Sequence, residues 1–497
     1  MISRSEATWK SSRAGLLVGL ALLTHAVGVR AQSTEIKTRI TAVENGLVPI
    51  IGIPGRDAPM TIAERMAYYG VPGVSIAVIN NYKIEWAKGY GVREAGHKSP
   101  IDTTTMFQAA SISKPLSALA ALSLVQRGVL DLDKDVNDVL TSWKVPKSDS
   151  IPNFLVTLRG LLSHTSGLTP TGYVGYEHGT KLPTLIQVLN GARPANTTPI
   201  SVDELHGQGF HYSGGGYTIL QQIILDVTKT RYPDFMQQTV LAPLGMTHST
   251  YEEPLPKKLR KMASSGHRSS GRPVQGKWHD YPEEAAAGLW TTPSDLARFA
   301  IELQLAAAGR SSRIISQPLV IEMLTPQRGG PVGLGLFLRG SGGAIRFGHS
   351  GANEGFRSEF VAFVHRGQGA VVMTNGDTGG GLLSELINSI AAVYGWPDYT
   401  TEPKPLAQID PKIYDKYVGE YEVSPNEVFS VTRDGDHLFI QTPNHGKAPV
   451  FLESETDFFL TMAEERIGFL VDGQGSVTGL VLRHGGAELR AVKKKSS

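Results

Sequence analysis

Residues Leu116 to Val125 are apolar almost all round, so a helix built from them has no face for water and must be wrapped by the rest of the chain. Pro115 suits the first turn of such a helix, and Gly128 the stop just past its last turn. The stretch that leads into it is Phe107-Gln-Ala-Ala-Ser111-Ile-Ser-Lys114. Ser111 is thereby placed near the positive end of a buried helix, where a developing oxyanion or alkoxide is stabilised. Lys114 lies one turn further on the same face, within reach of the hydroxyl proton. Serine is a weak nucleophile, and a desolvated lysine can activate it. The plainer alternative is an N-cap serine beside a solvated first-turn lysine. A Ser-x-x-Lys pair arises by chance about once or twice in a chain of this length, so the pair needs support from elsewhere.

A length of 497 residues exceeds one ordinary core and predicts two domains with additions. The 48 lysines and arginines nearly balance 46 acidic residues, for a formal charge of +2. That balance argues against nucleic-acid binding; the basic tail Lys493-Lys494-Lys495 reads as solvated. Cysteine is absent, which excludes disulfides, thiolate catalysis, thiolate metal sites and a lipid-bearing cysteine. The histidines are scattered, with no His-x-x-x-His spacing, so neither a metal nor another cofactor is expected.

Residues 1–31 read as a secretory signal. Arg4, Lys10 and Arg13 are basic, Ala14 to Leu23 is an apolar run too short to span a bilayer, and small residues flank a cut before Gln32. The expectation is an exported protein, secreted or periplasmic in a bacterium, without a stable membrane anchor after cleavage.

Further along, Thr34 to Val43 and Met60 to Tyr69 read as helices. Val74 to Ile79 and Lys83 to Trp86 read as a hairpin turning at Asn80-Asn81. Leu161-Leu-Ser-His164-Thr-Ser-Gly-Leu168 precedes a long Gly/Thr/Tyr/Pro-rich loop of the kind that lines sites. Tyr212-Ser213-Gly214 opens a glycine run into the apolar helix Thr218 to Val227, and glycine lets backbone approach a ligand closely. Ala285 to Leu289 reads as a small-residue turn, and Thr292 to Leu303 as a helix capped by Ser294. After Phe347-Gly-His349-Ser350-Gly351-Ala352 come two strands, Glu359 to Val364 and Ala370 to Thr374, then a helix from Leu382 to Tyr394. This order fits an α+β domain with an antiparallel sheet, spanning 36–396.

Prolines 397, 403, 405 and 411 mark a linker over 397–411. Beyond it, over 412–494, short strands alternate with turns such as Asp434-Gly435 and Asn444-His445-Gly446, which predicts a small β-barrel or sandwich. Its aromatics, Tyr414, Tyr417, Tyr421, Phe429, Phe439, Phe451, Phe458, Phe459 and Phe469, are read as core rather than as ligand contacts.

Two serines rival Ser111. Gly348-His-Ser350-Gly-Ala352 and Gly73-Val-Ser75-Ile-Ala77 are near-matches to the Gly-x-Ser-x-Gly elbow, which needs a strand, a sharp turn and then a helix. Both are followed by strand-like sequence, so the elbow reading fails on context.

Taken in order, Ser111-x-x-Lys114, Tyr212-Ser213-Gly214 and His349-Ser350-Gly351 resemble the three active-site motifs of the serine β-lactamase and penicillin-binding protein superfamily. The look is nearest to its class C-like branch of esterases, D-amino-acid peptidases and amide hydrolases. Leu161 to Leu168, Pro243-Leu-Gly-Met246 and Gly288-Leu-Trp-Thr-Thr-Pro-Ser-Asp295 resemble that branch too, and the last region, from Tyr414, is similar to its lipocalin-like β-domain. The resemblance implies an acyl-enzyme on Ser111, with Lys114 and a Tyr212 of lowered pKa sharing the proton. It implies an oxyanion hole from the amides of Ser111 and Ala352, and a substrate wall of His349, Ser350, Gly351 and Gly214. The partner implied is a small ester, amide or peptide; the oligomeric state is not implied. Gly214 stands where asparagine is common and His349 where lysine is common. Both departures tell against efficient β-lactam hydrolysis or DD-peptidase action and leave an esterase, the favoured reading, or a peptidase of different substrate preference. The alternatives are a D-amino-acid-specific peptidase or amidase, and a penicillin- or wall-fragment-binding protein that deacylates slowly.

Overall fold

The computed structural model describes residues 33–49, 51–54, 58–146, 155–202, 209–399, 403–424, 427–441, 447–461, 465–484 and 487–494. The expected signal at 1–31, the turn at Asn444-His445-Gly446 and the tail residue Lys495 lie outside them.

Helices α1 (33–44) and α2 (Ile62–Tyr69) precede the hairpin β1 (Gly73–Asn80) and β2 (Lys83–Gly91). Thr61 sets the start of α2, two residues later than expected, by a capping box: its hydroxyl accepts from the Glu64 N–H while the Glu64 carboxylate accepts from the Thr61 N–H. Asn81 and Tyr82 take left-handed backbone at the hairpin turn. Strand β3 (Phe107–Gln108) leads through a single 3-10 turn, Ala110–Ile112, into α3 (Ser113–Gln126). Then come α4 (Leu158–Ser163), β4 (Tyr176–Glu177), α5 (Leu185–Leu189), α6 (Gly214–Thr228) and α7 (Tyr232–Met236). Strand β5 (His279–Asp280), α8 (Glu284–Ala287), β6 (Trp290–Thr291), α9 (Pro293–Ala307) and α10 (Gln317–Met323) follow. The domain ends with β7 (Phe337–Arg339), β8 (Arg346–Asn353), β9 (Phe356–Phe363), β10 (Gly369–Thr374) and α11 (Gly379–Tyr394).

Two local expectations are corrected. Thr292, not Ser294, caps α9, its hydroxyl accepting from the Asp295 N–H. Pro293 explains this: proline belongs at the first helical position, so the cap is the residue before it. The small-residue turn at 285–289 contains a one-turn helix, α8.

Six of the described strands form an antiparallel sheet in the order β2-β1-β10-β9-β8-β7, and β3 with β6 and β4 with β5 make two short pairs. Successive side chains of a strand face opposite ways, and β1 divides accordingly. Ala77 and Ile79 join the large core that contains α3, α6 and α9, while Val74, Ile76 and Val78 pack under α2 and α11. Arg65 of α2 ties to α11 through its buried guanidinium, whose Nε donates to Glu385 at 2.6 Å. Helix α3 lies in the middle of the large core, buried from Ser113 through Leu124. Each of its leucines stabilises the fold by about 1.5–3 kcal/mol relative to exposure. Gly128, left-handed at φ 71°, ends it.

The C-terminal region is a closed barrel of β11 (Gly419–Ser424), β12 (Glu427–Asp434), β13 (His437–Gln441), β14 (Ala448–Leu452), β15 (Asp457–Phe459), β16 (Arg466–Val471), β17 (Val477–His484) and β18 (Ala487–Lys493). Tyr421, Phe429, Phe458 and Phe469 fill it. Of the aromatics expected as core, Phe439 is only half-buried, beneath the Lys447 ammonium. Phe451 and Phe459 are buried in a core other than the barrel's own, a separate cluster with Ile51 and Ile53.

Candidate active site

The 3-10 turn before α3 carries Ser111, and the residue just before it, Ala110, has φ 51°. A non-glycine residue held there is strained by about 1–3 kcal/mol and persists only where its surroundings fix it. Those surroundings are α8 and its flanks. The Ala109 N–H donates to the Leu289 carbonyl at 2.8 Å, and the Leu289 N–H donates to Ser113 Oγ at 3.0 Å. Ser117 Oγ donates to the Ala285 carbonyl at 3.1 Å.

Lys114 is in the first turn of α3, only 2% exposed. Its Nζ lies 3.0 Å from Ser111 Oγ and donates to the Ala286 carbonyl at 2.8 Å. The rings of Tyr212 and Tyr217 lie 5.1 and 5.7 Å from Nζ and favour the ammonium. Burial opposes them and dominates, taking the Lys114 pKa down to about 7. A lysine so placed is neutral in a large share of molecules near neutral pH and can take the serine proton.

Tyr212 precedes α6, whose N-cap is Ser213. Here the sequence expectation is reversed. Burial pushes the Tyr212 phenol well above its ordinary value, with the Ser111 hydrogen bond opposing only in part. Desolvation of a tyrosinate is the dominant cause. Tyr212 is a neutral phenol, a proton donor.

The third stretch is on β8. Strand β7 covers 346–348 only, and among the described residues 349–353 have no partner strand on that side. His349, Gly351 and Asn353 are buried, while Ser350 and Ala352 are exposed. A β-carbon on Gly351 would meet the Ala109 carbonyl, and Asn353 Nδ2 donates to Gln108 Oε1 and the Ala287 carbonyl, both at 3.2 Å. Strand β8 is thus docked on the Ser111 turn. His349 donates from Nδ1 to the Ser350 carbonyl at 2.6 Å, and burial, with Lys114 nearby, lowers its pKa to about 3. The imidazole is neutral, flanked by Tyr212 and Phe337 at 6.1 and 5.3 Å between centroids.

Gly214 is more than a missing amide. A β-carbon there would stand 3.0 Å from Tyr173 Cε2 and 3.2 Å from the Thr171 carbonyl. The Tyr173 ring, anchored by its hydroxyl 2.6 Å from Thr218 Oγ1, fills the place. Sequence reasoning passed over three groups: Tyr173 and Phe337, whose roles depend on neighbours distant in the chain, and the Ala286 carbonyl, which has no side-chain signature. Ser75 and Ser350 both lie within strands, so neither is an elbow nucleophile.

Residues 60–393 match the model of the Beta-lactamase family. The chain belongs to the beta-lactamase family. Members of this family are serine hydrolases or acyl-transferases. Residues 403–494 of this family member match a second model, a domain of unknown function (DUF3471). Penicillin-binding protein 4* of Bacillus subtilis (strain 168) is 23% identical over 469 residues, 88% of this chain and 97% of that protein. Protein flp of Staphylococcus aureus (strain MRSA252) is 31% identical over 227 residues, 45% of this chain; the match spans 42% of that relative's length. In fold, this beta-lactamase family member is similar to the octameric penicillin-binding protein homologue from Pyrococcus abyssi (TM-score 0.59, 23% identity, 86% and 98% of the two chains). It is also similar to the D-amino acid amidase from Ochrobactrum anthropi SV3 (TM-score 0.54, 24% identity, 67% and 96%).

Proposed function

We propose that this protein is a serine hydrolase acting through an acyl-enzyme on Ser111, with small esters as its preferred substrates. The observation that carries the reading is the buried Lys114 amine, 3.0 Å from Ser111 Oγ with a pKa of about 7. Neutral Lys114 takes the Ser111 proton as Oγ bonds to the substrate carbonyl carbon, and the amides of Ser111 and Ala352 receive the oxyanion. When the tetrahedral species collapses, the neutral phenol of Tyr212 gives its proton to the departing oxygen or nitrogen and regains one from Lys114. Water then repeats the sequence on the acyl group, losing its proton to the same pair, and restores Ser111.

The ester preference rests on His349 and Gly214. A neutral imidazole offers a substrate carboxylate no charge, and the Tyr173 ring fills the wall where a side-chain amide would hold a peptide-like acyl group. Turnover of p-nitrophenyl esters is expected to exceed that of nitrocefin. The test of the nucleophile is intact mass after brief exposure to p-nitrophenyl butyrate, beside Ser111→Ala. An acyl adduct on the wild type alone supports the reading; equal labelling of both refutes it.

The likeness to a D-amino acid amidase favours one second reading, an amidase or peptidase of D-amino-acid compounds. Release of D-amino acids from a peptide panel, with no ester turnover, would select it. A stable penicillin adduct without product would instead mark a slowly deacylating binding protein. The basic and then apolar leader at 1–31 supports export, which N-terminal sequencing of the mature protein tests.

A further inference from the structure

We propose that His164 is a positioning residue for Tyr212, clamping the segment on either side of it; this rests on the acyl-enzyme reading above. His164 ends α4 in left-handed backbone, φ 58°. Few side chains tolerate that conformation, and histidine, asparagine and aspartate are the enriched ones. From this position one residue supplies two acceptors to one short segment. Its carbonyl accepts from the His211 N–H at 2.8 Å, and its Nδ1 accepts from the Ser213 N–H at 3.0 Å. The residue between those two donors is Tyr212.

The ring does more than accept. Its centroid lies 4.3 Å from that of Tyr212, tilted by 33°, and 5.3 Å from that of Tyr217. Tyr212 is therefore fixed by main-chain bonds before and after it and by a ring against its face. Because Nδ1 accepts, the neutral imidazole carries its proton on Nε2, and a second proton on Nδ1 would break the bond to Ser213. Burial disfavours that protonation, as do the neighbouring Lys114, His349 and His211. A histidine that merely filled core would not need this tautomer. Displacing a phenol that must reach the Ser111 hydroxyl by about 1 Å costs on the order of 100-fold in rate.

The test compares His164→Asn with His164→Gln in the full-length chain. Both lose the ring. The asparagine amide oxygen stands close to where Nδ1 was and tolerates left-handed backbone, whereas the glutamine amide lies one bond too far out. With p-nitrophenyl butyrate, His164→Asn is expected to keep kcat within about tenfold of wild type, and His164→Gln to lose about 100-fold with little change in KM. Thermal unfolding, with His164→Ala as a third variant, separates rate loss from unfolding. Equal kcat values for the Asn and Gln variants, or losses that follow Tm alone, overturn the clamp while leaving the acyl-enzyme reading intact. A wild type that forms no acyl adduct overturns both.

Discussion

Gly351 lies so close to Ala109 that a β-carbon at 351 would stand 2.1 Å from the Ala109 carbonyl oxygen and 2.5 Å from Ser358 Oγ. Glycine is required here by space, since the strand backbone rests directly on the turn that carries the nucleophile. Gly351→Ala is expected to push β8 off that turn. Overpacking should cost about 1–3 kcal/mol of stability, and displacement of the proposed oxyanion hole about 100-fold in kcat/KM. Denaturant unfolding and ester kinetics check both; an unimpaired rate would separate β8 from the reaction.

Lys114 predicts the pH profile. Its pKa is lowered to about 7, so the neutral base accumulates as pH rises through that value, and kcat/KM for ester acylation should rise with it and level off above. The unfolded chain binds the extra proton up to 10.5, so the stability contributed by this group also rises between about 7 and 10.5. Lys114→Arg keeps the charge at every accessible pH and should abolish the limb, with a loss of about 10²–10⁴-fold. A limb unchanged in that variant would assign the titration to another group.

Restoring the amide at position 214 should fail in a specific way. Gly214→Asn drives a β-carbon against the Tyr173 ring, so activity and Tm should both fall. Adding Tyr173→Ala makes room, and the double variant should be more stable than the sum of the single changes by about 0.5–3 kcal/mol. Additive losses would show that the ring does not occupy the space of the missing side chain.

Glu283, just before α8, has both carboxylate oxygens buried without a partner among the described residues, and its pKa is raised to about 7 by burial. The folded protein then holds a proton that the unfolded chain has released, so stability falls as pH rises from 4.5 through about 7. Glu283→Gln should match the wild type at pH 5 and exceed it at pH 8 by roughly 3 kcal/mol. Denaturant midpoints at the two pH values check it, and parallel shifts would contradict it.

What could be read from sequence depended on how far apart the interacting groups lie in the chain. Ser111, Lys114 and the wrapped helix behind them are local, set by spacing and apolar content, and the β1–β2 hairpin, whose turn falls one residue later at Asn81-Tyr82, and the strands of the barrel are of the same kind. The proton state of Tyr212 follows from its burial among residues distant in the chain, which spacing does not show. The Ala286 carbonyl that holds Nζ is a backbone group on a turn 172 residues away, with no side chain to announce it. His164 stands in a recognisable stretch, yet its bearing on Tyr212 follows from a left-handed backbone that has no sequence signature of its own. Phe451 and Phe459 are core, as their type predicts, but strand alternation cannot tell which face of a barrel another segment covers, so the cluster they join is not legible.

That other segment is the one holding Ile51 and Ile53. The Ile51 N–H donates to the Thr461 carbonyl at 3.2 Å, and the Lys404 N–H to the Gly52 carbonyl at 2.9 Å. A ribosome makes Ile51 long before Phe459, so this seam cannot form while the beta-lactamase-like region between them is being synthesised. Two isoleucines stay bare until the barrel is complete. A chain halted after α11 would keep its proposed catalytic residues and still carry a sticky strip that invites aggregation. The barrel need not touch substrate to matter to the chain: it covers an apolar strip that was made long before it.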